Sequence, residues 1–312
     1  MTVAPYRLCV APMMDWTDRH CRFFLRQVSS RVRLYTEMIT TGALIHGDVY
    51  RHLAFSKAEK PVALQLGGSE PDELGHCAKL GEEYGYDEIN LNIGCPSERV
   101  QRGAFGACLM AEPRLVATCV QAMRTRLPVT VKHRIGIDQV EDYSFVRDFV
   151  GAVAAAGCSV FIVHARNAVL KGLSPKDNRE IPPLKYEYVY RLKRELPHLT
   201  VVINGGISTW AEIDAHLAHV DGVMLGRAAY HNPWLLADPG KTRADVARAM
   251  YEYAQGVESL RHVTRHMLGL YYGHPRARLW RRMLSDSNQL KRNDPRLILE
   301  ALDAVESLKM AA

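Results

Sequence analysis

The 312-residue sequence lacks the marks of a crosslinked or metal-stapled protein. Its seven cysteines, at positions 9, 21, 77, 95, 108, 119 and 158, are odd in number, widely spaced and contain no C-x-x-C pair. Neither a disulfide framework nor a zinc or iron–sulfur site is indicated, and a reducing cytoplasm fits best. No run of about 18 apolar residues occurs, and the opening Met1–Arg7 is not a basic segment followed by an apolar one, so neither a membrane span nor a secretory leader is expected. The G-x-G-x-x-G that usually opens a doubly wound dinucleotide fold is absent. His262 and His266 stand four apart without the glutamate of a zincin, so no metal site is expected.

Net positive charge is also scarce over most of the chain. Residues 1–240 hold 27 Lys+Arg and 26 Asp+Glu, net +1, whereas 241–312 hold 13 and 8, net +5. Within that tail, 261–296 carries nine basic and two acidic residues. A chain that is neutral over its bulk and basic in one short segment suggests a polyanion docking there; a solvated helix face is the alternative.

What is present is a rhythm. Eight short apolar, β-branched runs recur: Leu8–Met13, Leu34–Ile39, Pro61–Gly67, Glu88–Gly94, Val129–Ile135, Val160–Arg166, Val201–Ile207 and Gly222–Gly226. Most are continuous rather than alternating, as parallel strands buried on both faces require. Helical patterns lie between them at Pro71–Tyr84, Pro113–Arg126, Phe145–Ala156, Tyr186–Leu196 and Thr209–His219. The fold class expected is α/β, a (β/α)8 TIM barrel over residues 1–240, followed by a C-terminal all-α helical domain over 241–312. The tail is expected to form helices over Thr242–His266, Arg276–Asp286 and Pro295–Lys309, with Asp294 as an N-cap.

In such a barrel the working residues come from the C-terminal ends of the strands and the loops that follow. Those ends here read Ala11-Pro12-Met13-Met14-Asp15, Gln65-Leu66-Gly67-Gly68, Asn90-Leu91-Asn92-Ile93-Gly94-Cys95-Pro96, Lys132-His133-Arg134, His164-Ala165-Arg166, Asn204-Gly205-Gly206 and Gly226-Arg227. Buried amides, lysines and histidines destabilise unless paired, so their convergence on one mouth points to a polar ligand. The glycines after the last two strands, with Arg227, sit where barrels bind phosphate, where backbone N–H groups and a helix N-terminus favour an anion. Lys132 could be a Schiff-base nucleophile or a fixed positive charge, and His164 favours the second role. Cys95, on a strand-end loop between glycine and proline, could be a nucleophile, a proton donor or a small filler.

These motifs together resemble the tRNA-dihydrouridine synthases, across essentially the whole chain. The resemblance rests on Ala-Pro-Met-Met-Asp at 11–15, Gln-Leu-Gly-Gly at 65–68, Asn-Leu-Asn-Ile-Gly-Cys-Pro at 90–96, Val-Lys-His-Arg at 131–134, Val-His-Ala-Arg at 163–166, Asn-Gly-Gly-Ile at 204–207 and Gly-Arg at 226–227. Segments 16–22, 174–184 and 276–282 look like the bacterial subfamily that acts on positions 20 and 20a of the tRNA D-loop. The resemblance implies FMN across the barrel mouth, with Pro12, Met13 and Met14 under the ring and Gln65, Lys132 and His164 at its polar edge. Asn204, Gly205, Gly206, Gly226 and Arg227 would surround the phosphate, NADPH would be the reductant, and Cys95 the acid that protonates uracil C5. Asn92, Lys176, Arg179, Arg278 and Arg281 would contact tRNA; no protein partner is implied. Arg278, Arg281 and Arg282 share one helical face by spacing, and Arg261 and Arg265 are similarly paired. The rival readings are a flavin barrel reducing free pyrimidines or small enones, and a tRNA-binding barrel without catalysis.

Overall fold

The computed structural model describes residues 4–140 and 142–307, with the side chain of Arg99 outside the description. The expected end of the last helix at Lys309 therefore lies outside the described residues. Eight strands form one parallel sheet: β1 (Leu8–Val10), β2 (Leu34–Thr40), β3 (Val62–Gly67), β4 (Glu88–Ile93), β5 (Val129–Arg134), β6 (Val160–His164), β7 (Thr200–Asn204) and β8 (Gly222–Leu225). From β2 to β8 each strand pairs with its sequence neighbours, and β1 pairs with β8. The ring closes between β1 and β2 at Arg33, whose N–H donates to Leu8 and whose carbonyl accepts from Val10, each at 2.9 Å. The fold is the (β/α)8 barrel expected from the run spacing.

Packing divides the chain into two units. The first, residues 1–14 and 33–226, holds all eight strands; the second combines 15–32 with 227–312. The helix Arg19–Val28 follows β1 in sequence but belongs with the C-terminal helices. Its Phe23 ring stacks on Tyr253 at 4.0 Å, and His20 Nδ1 lies 2.8 Å from the Tyr253 hydroxyl. The sequence patterns had not singled this helix out. The tail helix expected over Thr242–His266 is two helices, Arg243–Ala254 and Leu260–Met267, broken around Gly256. The second starts where the Asn293 carboxamide oxygen accepts the Leu260 N–H. The helices Ala277–Ser285 and Arg296–Glu306 fall within the expected spans, but the second is capped at Pro295 and not at Asp294, whose carboxylate accepts the Arg296 N–H without capping the helix, and it ends at Glu306. No helix among the described residues is long and apolar enough to cross a membrane.

The barrel interior is mixed. Cys9, Ala11, Ala63, Ile162, Val202 and Met224 form an apolar cluster with Tyr35. Beside it Glu88, fully buried at the start of β4, accepts from Arg33 Nη1 at 2.8 Å and from the Thr130 hydroxyl. Burial pushes the Glu88 carboxyl up, and the Arg33 guanidinium opposes that shift by favouring the charged form. Removing the guanidinium strands a carboxylate away from water. Arg33→Met should destabilise the protein by about 3–5 kcal/mol. Because the orphaned carboxyl would hold its proton more tightly in the folded state than in the unfolded one, the loss should grow as pH rises above the normal glutamate range. Urea unfolding of both proteins between pH 4.5 and 8 checks it; a pH-independent deficit would contradict the assignment.

Candidate active site

Strand alternation decides which polar residues reach the mouth. On β4, Asn90 and Asn92 lie on the face of Glu88, toward the interior, while Ile89, Leu91 and Ile93 pack outward. On β5, Lys132 and Arg134 share the inner face. His133 points the other way, against Phe149 and Phe161, and is a core residue.

The loop after β4 carries Cys95, which is partly exposed. Asn92 Oδ1 accepts the N–H groups of Gly94 and Cys95 at 3.1 and 3.0 Å, and Asn92 Nδ2 donates to Gln65 Oε1 at 2.9 Å. The Cys95 carbonyl accepts from Ala107 N at 3.0 Å. Gly106, at φ +77°, permits that approach: a Cβ there would lie 2.6 Å from the Cys95 oxygen. The thiol faces the Ser97 hydroxyl at 3.5 Å.

Positive charge collects beside this loop. Lys132 Nζ donates to Asn204 Oδ1 at 3.2 Å, and Asn204 Nδ2 donates to the Met224 carbonyl. Arg134 is buried and donates to the carbonyls of Gly94, Asn167 and Asn178. Among the described residues no carboxylate pairs with Lys132 or Arg134. Burial, reinforced by Arg134, pushes Lys132 down to about 7, and burial pushes Arg134 down to about 10. Burial and then Arg134 and Lys132 hold His164 well below its ordinary range, so its imidazole is neutral. A lysine near the limit of holding its proton beside a charged guanidinium favours an anionic or electron-rich ligand.

At the end of β7, Gly205 and Gly206 have φ of +121° and +72°. A Cβ on Gly205 would lie 2.8 Å from His164 Cδ2, and one on Gly206 would lie 2.7 Å from Leu184 Cδ1. Tyr186 fixes the turn by donating to the Gly205 carbonyl at 2.7 Å. Gly226 differs: a Cβ there would meet nothing of the protein closer than 3.9 Å, so the missing side chain leaves open space. The helix after β7, Trp210–Leu217, is less available to an anion than its position suggested. Its own Glu212 carboxylate already takes the N–H groups of Ser208 and Thr209 in a capping box. Backbone at the glycines, not that helix end, is what remains for a phosphate.

Pro12, Met13 and Met14 follow β1, with Met14 58% exposed and Met13 packed against the apolar interior. The loop after β6 presents Lys176 and Arg179 to solvent. It is ordered around the buried Asn178, which donates to Val169, Leu173 and Ser174 carbonyls and accepts from Val169 N. Gln101 ties this loop to the thiol loop, donating to both Pro96 and Leu170 carbonyls. Arg134, Gln101, Asn178 and Tyr186 were not assigned roles from sequence; only Arg134 had a readable signal, its two-residue spacing from Lys132.

In the second unit, Arg227 opens the helix Arg227–His231, and Arg278, Arg281 and Arg282 are exposed on Ala277–Ser285. Arg265 does not share a free face with Arg261. It donates to the Asp15 carbonyl and the Asp18 carboxylate, which also pairs with the buried His266. Among the described residues no group of three or more His, Cys, Asp or Glu could hold a metal.

A parallel barrel with a thiol, a buried lysine and glycine turns at the C-terminal ends of its strands has the layout of a TIM-barrel enzyme. The dihydrouridine synthase family model matches residues 9–308. The tRNA-dihydrouridine(20/20a) synthase of Salmonella typhimurium is 56% identical over 96% of this chain and 95% of its own. Those of Escherichia coli strain K12 and Synechocystis are 57% and 55% identical, over 96% and 95% of this chain and 91% and 94% of theirs. The chain belongs to the dihydrouridine synthase family. It is a flavin-dependent oxidoreductase, and its activity is that of a tRNA-dihydrouridine synthase.

The lowered Lys132 has a measurable consequence for the flavin-free protein. Between pH 7 and 10.5 the unfolded chain binds the Lys132 proton more tightly than the folded one, so its contribution to stability increases with pH across that window. The unfolding free energy of wild type relative to Lys132→Met should therefore rise from pH 7 to 10. A flat difference over that range would refute the shift.

Proposed function

We propose that the chain reduces a uridine of the tRNA D-loop, at positions 20 and 20a, to 5,6-dihydrouridine with FMN as cofactor and NADPH as reductant. The observation that carries this reading is the juxtaposition, at one barrel mouth, of the Cys95 loop and a cation cluster without carboxylates.

The residues fit the flavin. Lys132 and the neutral His164 offer donors to an electron-rich ring edge, and Gln65 lies beside Asn92 on the same side. Pro12, Met13 and Met14 supply an apolar platform. Asn204, Gly205, Gly206 and Gly226, with Arg227, supply amide donors, open space and charge for the phosphate. When bound, the flavin supplies the hydride added to C6 of the uracil ring, drawn originally from NADPH. Cys95 delivers the proton to C5, so the C5–C6 double bond takes up one hydride and one proton and the thiolate is left to be reprotonated from solvent. Asn92, poised between the thiol loop and Gln65, also lies where the substrate base would enter.

The nucleotide must leave the folded D-loop to reach the mouth, at a cost of a few kcal/mol offset by contacts elsewhere. Lys176 and Arg179 in the barrel unit, and Arg278 and Arg281 in the helical unit, provide phosphate contacts for this. The barrel is thus the FMN-binding catalytic part and the basic helices the tRNA-holding part. The reading assigns the work to the cytoplasm and needs no protein partner.

Cys95→Ala should leave flavin reduction by NADPH intact while dihydrouridine formation nearly stops. Stopped-flow flavin absorbance and mass analysis of the tRNA separate the two; a normal product yield would move the acid elsewhere. Arg278→Ala and Arg281→Ala should each lower the slope of log affinity against log salt by about one, as expected for the loss of one phosphate contact. Filter binding across a salt series measures it, and unchanged slopes would remove these residues from the RNA interface.

A further inference from the structure

We propose that Thr130 and Asn90, buried beneath the mouth, are positioning residues for the protonation step, acting through a directional chain of hydrogen bonds inside the barrel. The proposal rests on the reading of Cys95 as the proton donor. At the lower end the Glu88 carboxylate accepts from Arg33 and from the Thr130 hydroxyl. Having given its hydrogen to Glu88, Thr130 Oγ1 can only accept, and takes an N–H of Asn90 at 2.7 Å. Asn90 Oδ1 accepts from Gln65 Nε2 at 2.7 Å, and Gln65 Oε1 accepts from Asn92 Nδ2 at 2.9 Å. Asn92 Oδ1 then receives the N–H groups of Gly94 and Cys95.

Both ends force the same direction. Glu88 accepts from the Arg33 guanidinium and from the Thr130 hydroxyl, and a peptide N–H only donates. Flipping one amide within the chain would set two donors, or two acceptors, against each other, and burial makes that mismatch costly. Glu88, Asn90 and Thr130 are fully buried and Gln65 is 1% exposed, so water cannot repair it. Other interior positions are filled by Ile162, Val202 and Met224, so the barrel does not need polar groups to pack. The polar chain ends on the loop that carries the thiol. It sets the height of the Cys95 peptide and which end of the Gln65 amide each neighbour meets.

Thr130→Val removes the hydroxyl at nearly constant shape, and Thr130→Ser keeps it. In the full-length FMN-loaded protein, reduction by NADPH should stay within about twofold for Thr130→Val. Oxidation of the reduced flavin by saturating tRNA in a single turnover should slow about tenfold, the scale of a small misplacement of a reacting group. Thr130→Ser should restore that step, and Asn90→Leu should reproduce the Thr130→Val pattern if the latter does not fold. Cys95→Ala is run in parallel. A wild-type tRNA step in Thr130→Val alongside a blocked Cys95→Ala overturns the chain while leaving the acid assignment standing; an active Cys95→Ala overturns the acid assignment itself. Equal slowing of both half-reactions, or loss of folding in both Thr130→Val and Asn90→Leu, overturns the positioning role in favour of a packing one.

Discussion

The peptide of Arg33 bridges β1 to β2, and its guanidinium neutralises Glu88 inside the ring. A fully buried carboxylate is tolerated only with such a partner and with further donors on its free lone pairs. Closure of the backbone and polarity of the interior therefore meet in one residue. From that pair the β3–β4–β5 side of the barrel is lined by amides and a hydroxyl, while β6, β7, β8 and β1 contribute Ile162, Val202, Met224, Cys9 and Ala11. Ala63 on β3 and Tyr35 on β2 join the apolar side, so the hydrogen-bonded residues form a seam along one flank of the interior.

At the open end the balance is reversed. Lys132 and Arg134 are satisfied by an amide oxygen and by carbonyls, which orient them without neutralising them. Charge left uncompensated in this way destabilises the fold, a cost that binding of the anion proposed here would recover. Arg134 has a further mechanical effect, since its acceptors lie on the thiol loop and on the loop that presents Lys176 and Arg179. The groups expected to grip RNA and the group expected to protonate it are braced against the same guanidinium.

Much of the barrel was legible because its strands are continuous apolar runs spaced by a βα unit, and buried parallel strands have few other ways to look. The mouth residues were legible because polar groups interrupt those runs at one end. The rest depends on contacts remote in sequence. Nothing local in Arg19–Val28 says that Phe23 will stack on Tyr253, so a helix that the βα rhythm would give to the barrel is claimed by the other unit. Arg265 looked like half of a basic pair because spacing records which residues share a face, not that Asp18 occupies it. Glu212 fills the helix N-terminus that a glycine turn advertised, a capping box readable as Thr209-x-x-Glu212 but outweighed by the phosphate pattern. Thr130 read simply as a strand residue and Asn90 only as one polar position of a strand-end motif, since a chain of amides across three strands has no signature in any one of them.

The helix Arg19–Val28 gives the molecule an unusual connectivity. The chain passes between its two units three times, after Met14, after Val32 and after Gly226. The helical unit is therefore an assembly of an insertion and a tail, not an appendage. A cut at residue 240 would keep Asp18, His20 and Phe23 but discard Arg265, His266 and Tyr253, which neutralise and cover them. The helical unit can be exchanged between relatives only if both of its segments travel together, so residues 15–32 and 227–312 are inherited as a pair.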